Sequence, residues 1–142
     1  MIAERIITPE ELKQLVKEGE TIGNKGGFPA VIINPDDTVY KFWVKRPRFG
    51  RIFKSRSYAR RFIAASQQLN DGGFLAPDII SYSTIKARPG EMLHYHHLSG
   101  DSIRDLLQTA AGAIRIDQVA RIFYDLHEAG FLIRTLHFGN VL

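Results

Sequence analysis

The residues of this sequence best suited to chemistry lie close together near its C-terminal end, in residues 126–142. After a helical pattern, Arg134 and Asn140 stand six residues apart on what should be a loop. His137 lies between them, where an imidazole can act as a general base. The hydroxyl of Thr135 can donate to or orient an acceptor, but it cannot hold a proton at neutral pH. The loop therefore offers a proton acceptor and a hydroxyl, but no carboxylate.

A second chemical feature is a block of positive charge. Residues 38–70 contain no acidic residue, so the block differs from the rest of the chain, which has more acids than bases although the net charge is +4. Such a block attracts phosphates, whether on a nucleotide, a nucleic acid, a lipid headgroup or a phosphorylated sugar. Its nine basic residues are Lys41, Lys45, Arg46, Arg48, Arg51, Lys54, Arg56, Arg60 and Arg61.

Histidines near the middle of the chain are the candidate metal ligands. His94 and His96 would project from one face of a strand, and imidazole suits zinc or nickel. The sequence contains no cysteine and offers no obvious third ligand beside them. The pattern therefore favours half-buried strand histidines over a metal site.

The elements that position these residues follow from capping and periodicity. Thr8 begins a capping box, residues 34–37 read as a turn between two strands, and the glycine-rich residues 23–27 connect that hairpin to an earlier short strand. An amphipathic helix with Tyr58 and Phe62 on its apolar face ends at a glycine pair. The predicted elements are helices over 8–19, 57–70, 102–108 and 119–130 and strands over 28–34, 38–44, 79–87 and 91–98.

Length and composition indicate one α+β globular chain. The sequence has 142 residues, of which 44% are apolar, and no apolar run approaches the roughly 18 residues of a membrane span. Its opening lacks the basic start and apolar middle of a signal peptide. We therefore expect a cytoplasmic protein.

The spacing of Arg134 and Asn140 is that of the Arg and Asn in the kinase catalytic loop H-R-D-x-x-x-x-N. More closely, residues 136–140 (Leu-His-Phe-Gly-Asn) resemble the D-L-H-x-G-N loop of bacterial small-molecule and lipopolysaccharide kinases. The upstream order of strand, glycine-rich turn, strand, lysine strand, helix and two strands is similar to a kinase N-lobe. The chain thus resembles the lipopolysaccharide core heptose kinases and the toluene tolerance proteins grouped with them.

This resemblance implies an incomplete protein-kinase-like fold, with residues 1–98 as the N-lobe and 99–142 as the start of the C-lobe. It implies phosphoryl transfer from ATP, with Mg²⁺, to a lipopolysaccharide core sugar or similar phosphorylated sugar. Residues 38–70 would meet this anionic acceptor or the inner membrane surface. The residues implied as functional are Lys41, Gly23, Gly26 and Gly27 for the nucleotide phosphates, Asn140 for Mg²⁺, and Arg134, Thr135 and His137 in the catalytic loop.

Three departures from the kinase pattern lower the expected activity. Thr135 replaces the catalytic aspartate, so the usual proton acceptor is missing. The helix over 57–70 offers Lys41 no glutamate, only Gln67 and Gln68. The sequence ends two residues after Asn140, before any D-F-G segment. We therefore expect that this chain alone is not catalytic, and the alternative is a non-catalytic pseudokinase scaffold in envelope stress or solvent tolerance.

A third hypothesis is a binder of anionic membranes or nucleic acid through residues 38–70, whose affinity would fall steeply with salt and ignore ATP. Aromatic side chains within this block could stack on bases. Phe42 and Trp43, however, occupy opposite faces of one strand, which favours packing. Nucleic acid is therefore not the expected partner.

Overall fold

A computed structural model describes residues 2–25, 27–44, 57–86, 90–100 and 116–132. The chain divides into two units, Met1–His97 and Leu98–Leu142, and each is treated by itself. The described residues form a six-stranded mixed sheet and three helices. The α+β class predicted from the sequence is therefore confirmed.

The first unit holds the whole sheet and two of the described helices, and the second holds the remaining helix. In chain order the elements are β1 (Ala3–Ile7), α1 (Pro9–Glu18), β2 (Glu20–Lys25), β3 (Phe28–Ile33), β4 (Thr38–Val44), α2 (Tyr58–Asp71), β5 (Ile79–Ile85), β6 (Gly90–His96) and α3 (Ile116–Glu128).

The strands are arranged in the order β1-β5-β6-β4-β3-β2. Every neighbouring pair is antiparallel except β1, which runs parallel to β5. The predicted β3–β4 hairpin is confirmed, and the two later predicted strands form the antiparallel pair β5–β6. The sequence prediction does not include β1. Its partner β5 lies far along the chain, and no turn signal beside this short strand marks it as part of a hairpin.

Short polar contacts fix the turn between β3 and β4. The backbone N–H of Asn34 donates to the carbonyl of Thr38 at 2.8 Å, and the Thr38 hydroxyl donates to the Asp36 carboxylate at 2.6 Å. Asp37 adopts a φ of 61°, a left-handed conformation that aspartate tolerates better than most residues. This turn sets the register that places Lys41 opposite Val31.

The two helices of the first unit cover opposite faces of the sheet. One face packs against Leu12 of α1 and the other against Ala59 of α2. Alternation along β4 assigns its side chains, because successive residues of a strand point to opposite faces. The α1 face buries Ile7, Leu12, Ile32, Tyr40, Phe42, Ile85 and Met92, and the α2 face buries Ala59, Tyr82 and Leu93.

The packing face of α2 differs from the predicted one. Tyr58 keeps 54% of its surface exposed, whereas Ala59 and Ser66 are buried. Phe62 is shared by the predicted and the observed face. Small side chains let the helix backbone approach the sheet closely, so Ala59 and Ser66 form the contact and the larger Tyr58 is left at its margin. The helix ends at Asp71 before Gly72, as predicted.

The second unit contributes α3, whose apolar residues recur at helical spacing as predicted. Gly130 follows the helix with a φ of 83°, which glycine adopts without steric cost. The predicted helix over 102–108 lies outside the described residues. None of the helices in the described ranges has the length and apolar character needed to cross a membrane.

Candidate functional site

Lys41 lies in the middle of β4 on the face of the sheet that α2 covers. Its neighbours along the strand, Tyr40 and Phe42, point into the α1-side core, so Lys41 shares the opposite face with Val39 and Trp43. Cross-strand pairing places Val31 on one side of Lys41 and Leu93 on the other. Lys41 therefore lies in a strand, as the sequence predicts for residues 38–44.

Two aromatic rings lie close to the Lys41 ammonium. Its Nζ is 5.4 Å from the ring centroid of Phe62 in α2 and 5.7 Å from that of Trp43. Both distances fall within the range of a cation–π attraction. The glutamines considered as partners, Gln67 and Gln68, are exposed in α2. An aromatic ring thus stands at the helix position that faces the lysine.

Beside Lys41, part of the sheet face is left accessible. α2 packs chiefly against β5 and β6, so the side chains of β2 and β3 on this face are less covered. Ile22 keeps 48% of its surface exposed, and Val31 and Ile33 are half-buried. Register places Ile22 opposite Val31, and Val31 opposite Lys41. We call Ile22, Val31 and Ile33 the open face; it is an apolar surface that begins at Val31, the cross-strand partner of Lys41.

The glycine-rich turn joins β2 to β3 at the end of the open face. Gly23 and Gly27 have φ values of 66° and 83°, conformations that favour glycine. The N–H of Gly27 donates to the side-chain oxygen of Asn24 at 3.0 Å. That amide, expected to contact phosphate, therefore has a partner within the turn. Gly26 lies outside the described residues.

A buried carboxylate occupies the same face as Lys41. Glu91 in β6 is only 6% exposed, and its Oε1 accepts a hydrogen bond from the Tyr82 hydroxyl at 3.2 Å. Desolvation is the largest cause that raises the pKa of the Tyr82 hydroxyl, and the charge of the nearby Glu91 carboxylate raises it further. The Arg60 guanidinium stacks 5.1 Å from the Tyr82 ring and pairs with Glu4 at 2.9 Å. This surface pair is well exposed and contributes little to stability.

The three histidines His94, His96 and His97 lie in different surroundings. His94 stacks on Tyr40, His96 is exposed, and His97 pairs with Asp37 at 3.1 Å. Within the described ranges no group of three potential ligands could hold a metal ion. The structure thus gives His94 and His97 separate contacts rather than a shared centre.

The residues predicted for the catalytic loop, Arg134, Thr135, His137 and Asn140, lie outside the described residues. So do six of the nine cations of the basic block. Of the other three, Lys41 lies over aromatic rings, Arg60 pairs with Glu4, and Arg61 stacks 4.5 Å from the Tyr58 ring. The hypothesis of an anionic binder therefore stays a prediction.

Sequence reasoning missed two side chains of this site, Phe62 as a neighbour of Lys41 and Glu91 as a buried acid. A signal for Glu91 was present, because Glu91, Leu93 and Tyr95 alternate along one strand and must share a face. An acid at the end of such an apolar row indicates a buried charge. Phe62 carried no comparable signal, since only the packing of α2 brings it to the lysine.

Comparison with known proteins leaves the family open, since no family model matches the sequence and no curated protein matches it.

Proposed function

We propose that this chain is a kinase-like protein, related to the ATP-dependent lipopolysaccharide core sugar kinases, whose first unit binds Mg²⁺-ATP. The observation that carries this proposal is the position of Lys41 at the border between the part of the sheet covered by α2 and the open face. A nucleotide needs an apolar surface for its base and a cation for its phosphates. Lys41 offers the cation and the open face offers the apolar surface, and Val31 of that face is the cross-strand partner of Lys41.

In this proposal the chain's own residues divide the work. Val31 and its open-face neighbours contact the base, and Lys41 holds the phosphates. The glycine turn lies beyond them, at the end of β2 and β3, where its backbone can approach the phosphates. For the second unit, the kinase resemblance implies that Asn140 holds Mg²⁺ and that Arg134 braces the loop. When bound, Mg²⁺-ATP supplies the phosphoryl group that is transferred.

The acceptor follows from charge. A lipopolysaccharide core or another phosphorylated sugar is anionic, and residues 38–70 carry nine cations without an acid. Such an excess of positive charge attracts anionic acceptors and favours contact with an anionic membrane surface. His137 and Thr135 are the loop side chains proposed to meet the acceptor hydroxyl.

The test is calorimetric titration of Mg²⁺-ATP into the wild-type protein and into Lys41→Met. We expect the variant to bind about 10- to 150-fold more weakly, since a hydrogen bond to a charged group is worth roughly 1.5–3 kcal/mol. Lys13→Met is the matched control, because Lys13 is exposed on α1, which covers the opposite face. Equal affinity for Lys41→Met, or no binding by the wild type, would overturn the proposal.

A second candidate is a non-catalytic module that binds nucleotide without transferring phosphate. It is favoured by the Phe62 ring 5.4 Å from Lys41, where a kinase helix would bring a carboxylate. Phosphoryl transfer by Thr135→Asp separates the two candidates. Restoring a general base typically gains about 10² to 10⁴ in rate. A gain identifies a weakened enzyme, whereas Mg²⁺-ATP binding with no turnover in either protein supports the module.

A further inference from the structure

A cleft opens in the first unit, where the C-terminal end of α2 and the loop after it meet the residue that precedes β1. Its volume is about 210 Å³, and it is lined by Ile2, Gln67, Asn70, Pro77, Asp78 and Ile79. Clefts that hold drug-sized ligands have volumes of roughly 300–1,000 Å³. This smaller cleft therefore suits a ligand no larger than a single sugar ring.

Hydrogen bonds hold the walls of this cleft in place. The Asn70 Oδ1 accepts from the backbone N–H of Ala76 at 3.0 Å, and Ala76 is only 5% exposed. The carbonyl of Asp78 accepts from the backbone N–H of His96 at 3.1 Å. The loop is therefore fixed to α2 at one point and to β6 at another. Asn70 and Asp78 thus keep their positions without a ligand, as in most small-molecule sites.

The charge around the cleft is negative. Asp78 is the only ionisable side chain among the six lining residues. Asp71 is the last residue of α2, and residues 62–85 contain no lysine or arginine. The C-terminal end of a helix also carries the negative end of its dipole. These contributions have the same sign, so the cleft attracts a cationic group.

The remaining lining residues suit a ligand with hydroxyl groups and a short apolar body. Because the Asn70 Oδ1 accepts from Ala76, the Nδ2 group is the part of that amide left to donate to a ligand. The exposed amide of Gln67 can both donate and accept, as a hydroxyl can. Pro77 and Ile79 are half-buried and offer apolar surface to carbon-bound hydrogens.

We propose that this cleft binds a small hydroxylated amine, the chemical class to which amino sugars belong. The Asp78 carboxylate accepts from the ammonium group, and the amides of Asn70 and Gln67 bond to the hydroxyls. Ile79 contacts the apolar side of the ligand. The site goes beyond the proposed nucleotide site, because its lining includes neither Lys41 nor any residue of the glycine turn or the open face.

The first test is nuclear magnetic resonance of the whole chain with labelled isoleucine methyl groups, titrated at neutral pH with glucosamine and, separately, with glucose. We expect glucosamine to shift the methyl signals of Ile2 and Ile79, and to leave that of Ile22 on the open face unchanged. Glucosamine should bind about tenfold more tightly than glucose, because only its ammonium makes a charge-assisted hydrogen bond to Asp78. Equal affinities for the two sugars, or shifts at Ile22 as large as those at Ile79, overturn the inference.

The second test changes the charge of the cleft in both directions. Asp78→Asn should bind glucosamine about tenfold more weakly and glucose as before. Asn70→Asp keeps the oxygen that accepts from Ala76 but adds a carboxylate, so it should bind glucosamine severalfold more tightly than the wild type. Glu10→Gln, on exposed α1, is the control and should leave both affinities unchanged. Unchanged glucosamine binding by Asp78→Asn overturns the inference; if that variant does not fold, an Asn70→Asp protein that binds no more tightly overturns it.

Discussion

The imidazole of His94 lies nearly flat on the phenol ring of Tyr40, with ring centroids 4.2 Å apart and an angle of 17° between the planes. Its Nε2 is buried and has no hydrogen-bond partner among the described residues. Burial therefore lowers the pKa of His94 below 6.5. The nearby Asp36 raises this pKa, whereas Arg5 and His96 lower it further. The folded protein favours the neutral ring.

Stability should accordingly fall when the solution is acidified below about pH 6.5. The unfolded chain binds a proton at His94 near its ordinary pKa of 6.5, whereas the folded chain resists it to lower pH. This contribution is complete above pH 6.5 and is lost as the pH falls toward the folded pKa. Urea unfolding between pH 5 and 7 measures it. His94→Phe, which keeps the stacking, should flatten the dependence, whereas the exposed His96→Phe should retain it; a slope unchanged by His94→Phe contradicts the prediction.

Tyr95 should be the tyrosine that ionises last. Burial raises the pKa of Tyr95 to about 12, because the phenolate is poorly solvated between Phe62 and the sheet. A tyrosine with a raised folded pKa contributes stability that is complete below pH 10 and lost above it. In an absorbance titration of the tyrosines, the final ionisation step should therefore be missing from Tyr95→Phe. The same step should survive in Tyr124→Phe, whose ring is 57% exposed.

Removing the cap of α1 should cost about 1 kcal/mol in the free energy of unfolding. The Thr8 hydroxyl accepts from the backbone N–H of Glu11 at 3.2 Å, and the Glu11 carboxylate accepts from the Thr8 N–H at 2.7 Å. The hydrogen bond from the Thr8 N–H is the largest cause that lowers the pKa of the Glu11 carboxyl. Thr8→Ala breaks half of this box, and chemical denaturation measures the loss. Glu10→Gln, in the same turn but outside the box, is the control and should lose less.

Gly19 should tolerate no side chain, because it lies against β3. A Cβ at this position would sit 2.3 Å from Ile32 Cγ2 and 2.9 Å from the carbonyl oxygen of Ile33. Gly19→Ala should therefore destabilise the protein by roughly 1–3 kcal/mol through overpacking. At Gly27 an added methyl meets no atom within 4 Å, so Gly27→Ala isolates the cost of a φ of 83°. Thermal unfolding should therefore give Gly19→Ala a lower melting temperature than Gly27→Ala.

Local signals explain the parts of the fold that the sequence predicts correctly. The capping box at Thr8, the turn over residues 34–37 and the glycines after α2 each act within a few residues, so pattern and structure agree there. Lys41 falls within a predicted strand for the same reason, since alternation along β4 is a local property.

Contacts between distant segments explain the differences. The partner of β1 is far along the chain, the contact face of α2 depends on how closely Ala59 and Ser66 approach the sheet, and the meeting of Lys41 with Phe62 depends on that approach. The position of Glu91 opposite Trp43 depends on the register between β4 and β6. Periodicity within one segment contains none of this information.

The parallel pairing of β1 with β5 has a consequence for the order of folding. Ala3 pairs with Ser81, so this contact closes a long loop, whereas the hairpins β2–β3 and β5–β6 close short ones. The entropy of loop closure therefore delays β1 until β5 has found its place in the sheet. In the described sheet β1 is an edge strand, as β2 is at the other end, so it should detach before the central strands, and its amide hydrogens should exchange with solvent before those of β4 and β6.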